Sequence, residues 1–434
     1  MNRVNVYYKK ELAGILERTV ENHFIFTYLL EYQGPSLSLT LPKSAKIFQS
    51  QNLFAFFDGL IPEGWLLKLA TDELRLNPLI DRFELLCALC TDTIGAVHIG
   101  EKPSLDNKYK VKLPENIKLP TFDRCLICYQ DHRGIYHDEC MRRVFGSAIY
   151  PLVDINQEIL EKLAKSQLNK KLAVSGVQKK ISLELQKGSN KESRLTITDL
   201  WGGFIFKPKG KAPHLPENEH LCQLLAEKAG LECELSALIP MQNGELGFIA
   251  KRFDRGSKHE EYHQEDFCQI LDKPPHYKYQ GSLEQIGKVI KSNTDFPGDN
   301  LYRMLELTIF NYLIGNVDFH LKNVSLTYES KKGLRSMLSP AYDLLSTDLY
   351  INDVEESALA INGKKNKLNR EDFVVLAKSY GISEKVLGSI LKKFESIRPI
   401  WETTIRQSFL TSGDQEKLIS LIEKKWTQIA FPIV

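Results

Sequence analysis

The feature that most constrains this chain is a change of hydrophobic period a little past its middle. Up to about residue 260 apolar residues come mainly in short alternating runs bounded by Gly and Pro, whereas beyond it they recur every three to four positions. The runs 284–292, 301–314, 371–379, 383–395, 398–409 and 414–425 each carry an apolar stripe of helical period. An alternating run buries one face only as a strand, and a 3.6-residue stripe only as a helix. The expected class is therefore α+β, with a strand-rich part followed by a helix-rich part and two lobes in all.

Finer organisation follows from the breaks. Residues 1–104 form a small α+β domain with strands at Arg3–Tyr8, His23–Tyr28, Leu37–Leu41 and Ile94–Ile99. Helical runs lie between them at Leu53–Leu60, Trp65–Leu74 and Arg82–Cys90. A linker rich in Lys, Pro and Asn, Glu101–Pro120, leads into an insert within 105–149 that holds Cys125, Cys128, His137 and Cys140. Their spacing, C-x2-C-x8-H-x2-C, supplies two close ligand pairs suited to tetrahedral Zn²⁺. Four protein ligands leave no open position, so such a zinc would be structural. Residues 150–260 carry an amphipathic helix, Asn156–Lys171, a strand-flanked turn, Ala173–Leu185, and the strand Gly202–Pro208. A helix at Glu219–Ala229 and a strand at Ile249–Arg255 follow, and 261–434 is helical from His263 onward.

The chemistry concentrates in Gly315–Asn323, which sits between an apolar run and a short strand. Asp318 is followed five residues later by Asn323, and twenty residues beyond that by Asp343. Magnesium-dependent phosphoryl transfer needs such a set: one carboxylate at the acceptor hydroxyl, and a carboxamide and second carboxylate for the metal. Lys207 on an apolar strand, with Glu219 on the next helix, matches the ion pair that positions nucleotide phosphates in kinases. Ser175 and Gly176 allow backbone N–H groups to approach phosphates. The Ile249–Arg255 strand falls where a two-lobed kinase bonds adenine through its backbone.

Composition removes several alternatives. A net charge of +2 gives no global footprint for nucleic acid. No apolar run approaches the length of a membrane-spanning helix, and the first residues lack the apolar core of a signal peptide, so a cytoplasmic protein is expected. The eight cysteines are scattered apart from the three in the insert, which argues against a disulfide framework.

Residues 1–104 and 150–434 resemble the HipA family, the serine/threonine-kinase toxins of type II toxin–antitoxin systems. Phe56–Glu63, Ser175–Lys180, Phe204–Pro208, Asn218–Cys222, Lys251–Arg255, Gln264–Gln269, Gly315–Asn323 and Tyr342–Ser346 carry the resemblance, in order. It implies a bilobal protein-kinase-like fold and an ATP- and Mg²⁺-dependent kinase. Asp318 would activate the acceptor hydroxyl, supported by His320, with Lys322 near the γ-phosphate. Asn323 and Asp343 would hold Mg²⁺, and Lys207, paired with Glu219, would contact the α- and β-phosphates. Ser175, Gly176, Val177 and Gln178 would form the phosphate loop, and Lys251, Arg252 and Phe253 the adenine contact.

The resemblance also implies a HipB-like helix-turn-helix antitoxin as partner, DNA only through that antitoxin, and an aminoacyl-tRNA synthetase as protein substrate. Ala173 occupies the slot where family members often carry an autophosphorylated serine, and Ser175 offers a hydroxyl two positions on. Two other readings stand beside it. Asp318, His320 and Asn323 in the form D-x-H-x-x-N also resemble lipid kinases, which would make this a lipid or small-molecule kinase. The other is a non-catalytic regulatory partner, against which the intact Lys207, Asp318, Asn323 and Asp343 argue.

Overall fold

Alternation in the first residues becomes a sheet. In the computed structural model, strand β1 (Arg3–Tyr8) buries Val4, Val6 and Tyr8 and leaves Arg3 outside. Around it β2 (Glu11–Arg18), β3 (Phe24–Tyr28), β4 (Ile47–Ser50) and β5 (Val97–Ile99) assemble antiparallel in the order β4-β3-β2-β1-β5. Helices α1 (Ala55–Leu60) and α2 (Arg82–Leu89) add Phe56, Phe57, Leu85, Leu86 and Leu89 to one core with Phe26. Each such side chain contributes roughly 1.5–3 kcal/mol on burial. The structure describes residues 2–63, 67, 77, 82–100, 120–147, 151–152, 181–187, 193–197, 203–210, 212–241, 244–256, 260–329, 335–351 and 355–430. The expected helices Trp65–Leu74 and Asn156–Lys171 therefore lie largely or wholly outside the described residues.

Leu37–Leu41 is not a strand. The Tyr28 hydroxyl accepts from Leu37 N (2.8 Å) and donates to Leu41 O (2.6 Å), stapling the segment into a tight loop. Leu37 and Leu41 are buried by that staple while Leu39 stays exposed, and the fourth strand comes instead from Ile47–Ser50.

Next come β6 (Phe122–Arg124), β7 (Asp131–Gly134) and α3 (Asp138–Phe145). A second sheet uses β8 (Pro151–Leu152), β9 (Ile181–Lys187), β10 (Ser193–Ile197), β11 (Phe204–Lys207), β12 (Ser236–Pro240) and β13 (Leu246–Lys251). Their order is β12-β13-β11-β9-β10-β8. Helix α4 (Leu215–Lys228) joins β11 to β12 and begins before the expected Glu219, because Pro216 occupies its first turn, where a missing N–H costs nothing.

The helical part opens with β14 (His263–Asp266) and one helical turn, α5 (Phe267–Ile270), closed by an Asp266–Gln269 capping box, where a longer helix is expected. It continues as α6 (Leu283–Asn293), α7 (Pro297–Leu313), the hairpin of β15 (Ser325–Glu329) and β16 (Arg335–Leu338), α8 (Arg370–Ser379), α9 (Glu384–Arg406) and α10 (Ser412–Ala430). The separate runs 383–395 and 398–409 are one helix, which passes through Pro399. An interior proline costs about 3 kcal/mol. Trp401, two residues later, is buried and donates its Nε1–H to Leu225 O (2.9 Å), anchoring the helix just past the missing bond.

Two compact units divide the chain: Met1–Pro120, Met141–Gly210 and Ile239–Tyr277 in one, Thr121–Cys140, Lys211–Leu238 and Lys278–Val434 in the other. The division differs from the expected boundaries, since α4 and the Cys/His segment belong to the helical unit. No helix among the described residues is long and apolar enough to cross a membrane.

Candidate active site

In the helical unit the Gly315–Asn323 loop is built on the end of α7. Gly315 has φ +69°, and a Cβ there would lie 2.7 Å from Leu421 Cδ2 and 2.8 Å from Asp348 Oδ2. Only glycine satisfies both the left-handed backbone and the space. Gly315 O accepts from Asp348 N (3.1 Å) and from Thr347 Oγ1 (3.2 Å), while Thr347 Oγ1 accepts from Val317 N (2.8 Å). Asn316 donates to Asn311 Oδ1 (2.7 Å) and to Asp343 O (3.4 Å), and its own Oδ1 accepts from Asp318 N (3.2 Å). Asn316 thus ties the Asp318 segment to the Asp343 segment.

On this scaffold Asp318, His320 and Asn323 come together. Asn323 Nδ2 donates to Asp318 O (2.9 Å), so its carbonyl oxygen is the atom left for a cation. The Asp318 side chain is 42% exposed, open to an incoming hydroxyl, and its Oδ1 accepts from Tyr279 OH. His320 is buried with Nε2 3.8 Å from the same oxygen, and its ring meets Tyr279 edge-on at 5.1 Å. Lys322 is buried, and its carbonyl accepts from Tyr342 OH (2.9 Å) beside Asp343. Asp343 is half-buried with φ +54°. That conformation costs a non-glycine residue about 1 kcal/mol, and Asp tolerates it better than most. Behind the loop Lys425 lies 3.5 Å from Asp348 and over the Tyr312 ring. Burial depresses this lysine and raises the carboxyl, each against the attraction of the other.

The sheet unit holds the other expected residues. Lys207 ends β11, is buried, and lies over the Phe248 ring at 5.3 Å. Glu219 is buried on α4 in the helical unit. Lys251 is exposed at the end of β13, and Arg252 N donates to Gly203 O (2.9 Å). The Arg252 guanidinium forks onto Asp254 (2.9 and 2.7 Å) and reaches Thr93 O (3.0 Å). Arg255 adds bonds to Asp254 (2.7 Å), Asp92 (3.0 Å) and Gly95 O (2.9 Å), and Gly95 N donates to Asp254 (2.8 Å). Burial alone would raise the Asp254 carboxyl, but the two guanidinium groups outweigh it and hold it at about 2. Arg252 therefore joins an ion cluster fastening the 91–95 loop. Ser175, Gly176, Val177 and Gln178 lie outside the described residues.

The ligand atoms of Cys125, Cys128, His137 and Cys140 all lie within 4.8 Å of one another. Bound zinc would bring them to about 3.5–3.8 Å, a small closure. His137 Nε2 lies 3.3 Å from Asp131 O, which fixes the ring so that Nδ1 faces the sulfurs, 3.4 Å from Cys128 Sγ. The Cys128 thiol and then the backbone N–H groups of Cys128, His137 and Ile127 hold the Cys125 thiol well below its usual range, toward the ligating thiolate.

Mixed sheets and helices in this order, with a small N-terminal sheet domain and a helical C-terminal region, define a kinase fold of the HipA type. The HipA N-terminal domain matches residues 4–100 and the HipA-like C-terminal domain residues 172–401, and the chain belongs to the HipA family. Y4dM, a provisionally named kinase of Sinorhizobium fredii, is 30% identical over 399 residues, covering 86% of this chain and 84% of its own. The serine/threonine-protein kinase toxin HipA of Shewanella oneidensis is 26% identical over 360 residues, 78% of this chain and 73% of that protein. The Shewanella oneidensis complex of HipA, HipB and operator DNA contains a chain of like fold, with a TM-score of 0.67 and 21% identity over 98% of this chain and 96% of that one.

Sequence reasoning passed over Asn316 and Asn218. Neither spacing nor composition distinguishes a buried asparagine that bridges two segments from one that caps a turn.

Proposed function

We propose that this chain is an ATP- and Mg²⁺-dependent serine/threonine protein kinase. The observation that carries the reading is the joint positioning of Asp318, Asn323 and Asp343 by Asn316 and the Asp318 carbonyl. Asp318, exposed and oriented by Tyr279 and His320, accepts the proton of the acceptor hydroxyl. Asn323 and Asp343 offer oxygen donors of the hard type that Mg²⁺ takes. Held there, Mg²⁺ would supply positive charge to offset that of the phosphates. Lys207 supplies the cation for the α- and β-phosphates, and Lys322 a second one at the γ-phosphate. ATP turnover measured with wild-type protein and with Asp318→Ala tests the reading. Equal turnover would end it.

The partner follows from the same family. A HipB-type helix-turn-helix antitoxin holds the kinase inactive and brings it to DNA, and the substrate is a cellular protein, with an aminoacyl-tRNA synthetase as first candidate. Phosphoproteomics of cells expressing this chain or its Asp343→Asn variant identifies the substrate. A pull-down from the native host without a small DNA-binding protein would remove the partner. Cys125, Cys128, His137 and Cys140 hold one structural Zn²⁺, checked by metal analysis of freshly purified protein.

A further inference from the structure

We propose that metal occupancy of the Cys125–Cys140 knuckle sets the position of Asp343 through helix α4, so that zinc loading governs kinase competence. The inference rests on the kinase reading for its activity arm alone.

The path is continuous and lies within the helical unit. Tyr129 directly follows Cys128, closes the knuckle turn by donating its N–H to Cys125 O (3.0 Å), and has φ +62°. It is fully buried, and its hydroxyl lies 2.8 Å from His220 Nδ1 on α4. The knuckle also grips β12, the strand that follows this helix. Leu126 O accepts from Leu238 N (3.0 Å), and Tyr136 OH donates to Leu238 O (2.7 Å).

Two residues before His220, Asn218 is fully buried. Its Nδ2 donates to Ser346 O (3.0 Å) and Tyr350 OH (3.1 Å), and its Oδ1 accepts from Ser346 N (3.1 Å) and Cys222 Sγ (3.3 Å). A carboxamide used at both ends has no second arrangement of equal energy, so α4 and the Ser346 backbone move as one piece. Ser346 is three residues from Asp343, whose carbonyl is held in turn by Asn316. Between Asn218 and His220 stands Glu219, so the element fastened by the knuckle also carries the expected partner of Lys207.

Leu126, Ile127 and Tyr129 are buried, but the turn that aims Tyr129 is cross-linked between its two ligand pairs by the metal, and that cross-link goes when the ion is removed. Loss of the ion frees Tyr129, then His220, and the constraint on the Asp343 segment relaxes with them.

The test uses the full chain. Exchange of backbone amides is followed over 215–228 and 343–350 in zinc-loaded protein, in protein stripped with a chelator, and after return of Zn²⁺ alone, with ATP turnover read on the same samples. Stripping should raise exchange in both segments and lower turnover about tenfold, and zinc should reverse both. Tyr129→Phe keeps all four ligands, so it should still bind one zinc while the metal's effect on 343–350 shrinks. Protection of 343–350 unchanged by metal, or an unaltered metal effect in Tyr129→Phe, overturns the coupling. Metal-dependent protection in a protein without ATP turnover upholds the coupling and removes the kinase reading instead.

Discussion

Two polar clusters of this protein use the same residue types to opposite ends. In the sheet unit Asp254 is buried between Arg252 and Arg255, and both its oxygens are bonded. In the helical unit Asp318 keeps 42% of its side chain exposed, while bonds from Asn316 and Asn323 hold its backbone. A carboxylate matched on every side cannot take a new partner and serves the fold. One whose backbone is fixed while its oxygens stay accessible is prepared for chemistry.

Substitution should separate these roles. Asp254→Ala strands two buried guanidinium groups and should cost on the order of 3–5 kcal/mol, read as a lower denaturant midpoint. Asp318→Ala and Asp343→Asn should each lower ATP turnover by about 10²-fold or more while leaving that midpoint near wild type. An Asp343→Asn protein that turns over ATP normally would dissolve the contrast. Gly315→Ala belongs to both classes, since it strains the backbone and displaces Leu421 or Asp348. About 2 kcal/mol of stability and much of the activity should go together.

The smallest expected effect is on pH dependence, and it belongs to the sheet unit. Burial, against its bond to Leu37 O, lowers His263 from its ordinary value to about 4. The unfolded chain takes up that proton first, so this contribution is complete above about pH 6.5 and declines as pH falls toward 4. Between pH 7 and 5 the loss should be about 2 kcal/mol, and His263→Gln should flatten that part of the stability profile.

Legibility in the sequence followed the range of the interactions. Val4, Val6 and Tyr8 showed their strand because alternation is local, and α6 through α8 showed their stripes for the same reason. Leu37–Leu41 misled because a tyrosine nine residues upstream decides its shape. Pro399 misled because Trp401 holds the helix from a partner 176 positions away. At the candidate site the D-x-H-x-x-N spacing singled out Asp318, His320 and Asn323, which the fold brings together. It could not expose Asn316 or Asn218, whose roles exist only once Asp343 and Ser346 have been folded back onto them. Arg252 read as part of a nucleotide strand because its guanidinium's partners, Asp254 apart, lie in another stretch of the chain.

The left-handed backbone of Asp343 sets strain and function against each other at a single codon. Glycine would rest there without strain, so Asp343→Gly should leave the denaturant midpoint near wild type while lowering ATP turnover by about 10²-fold or more. Where the proposed activity arrests the host's growth, laboratory propagation should enrich that change, since it removes a proposed metal ligand without straining the backbone. Only cells in which the activity is useful would keep the aspartate.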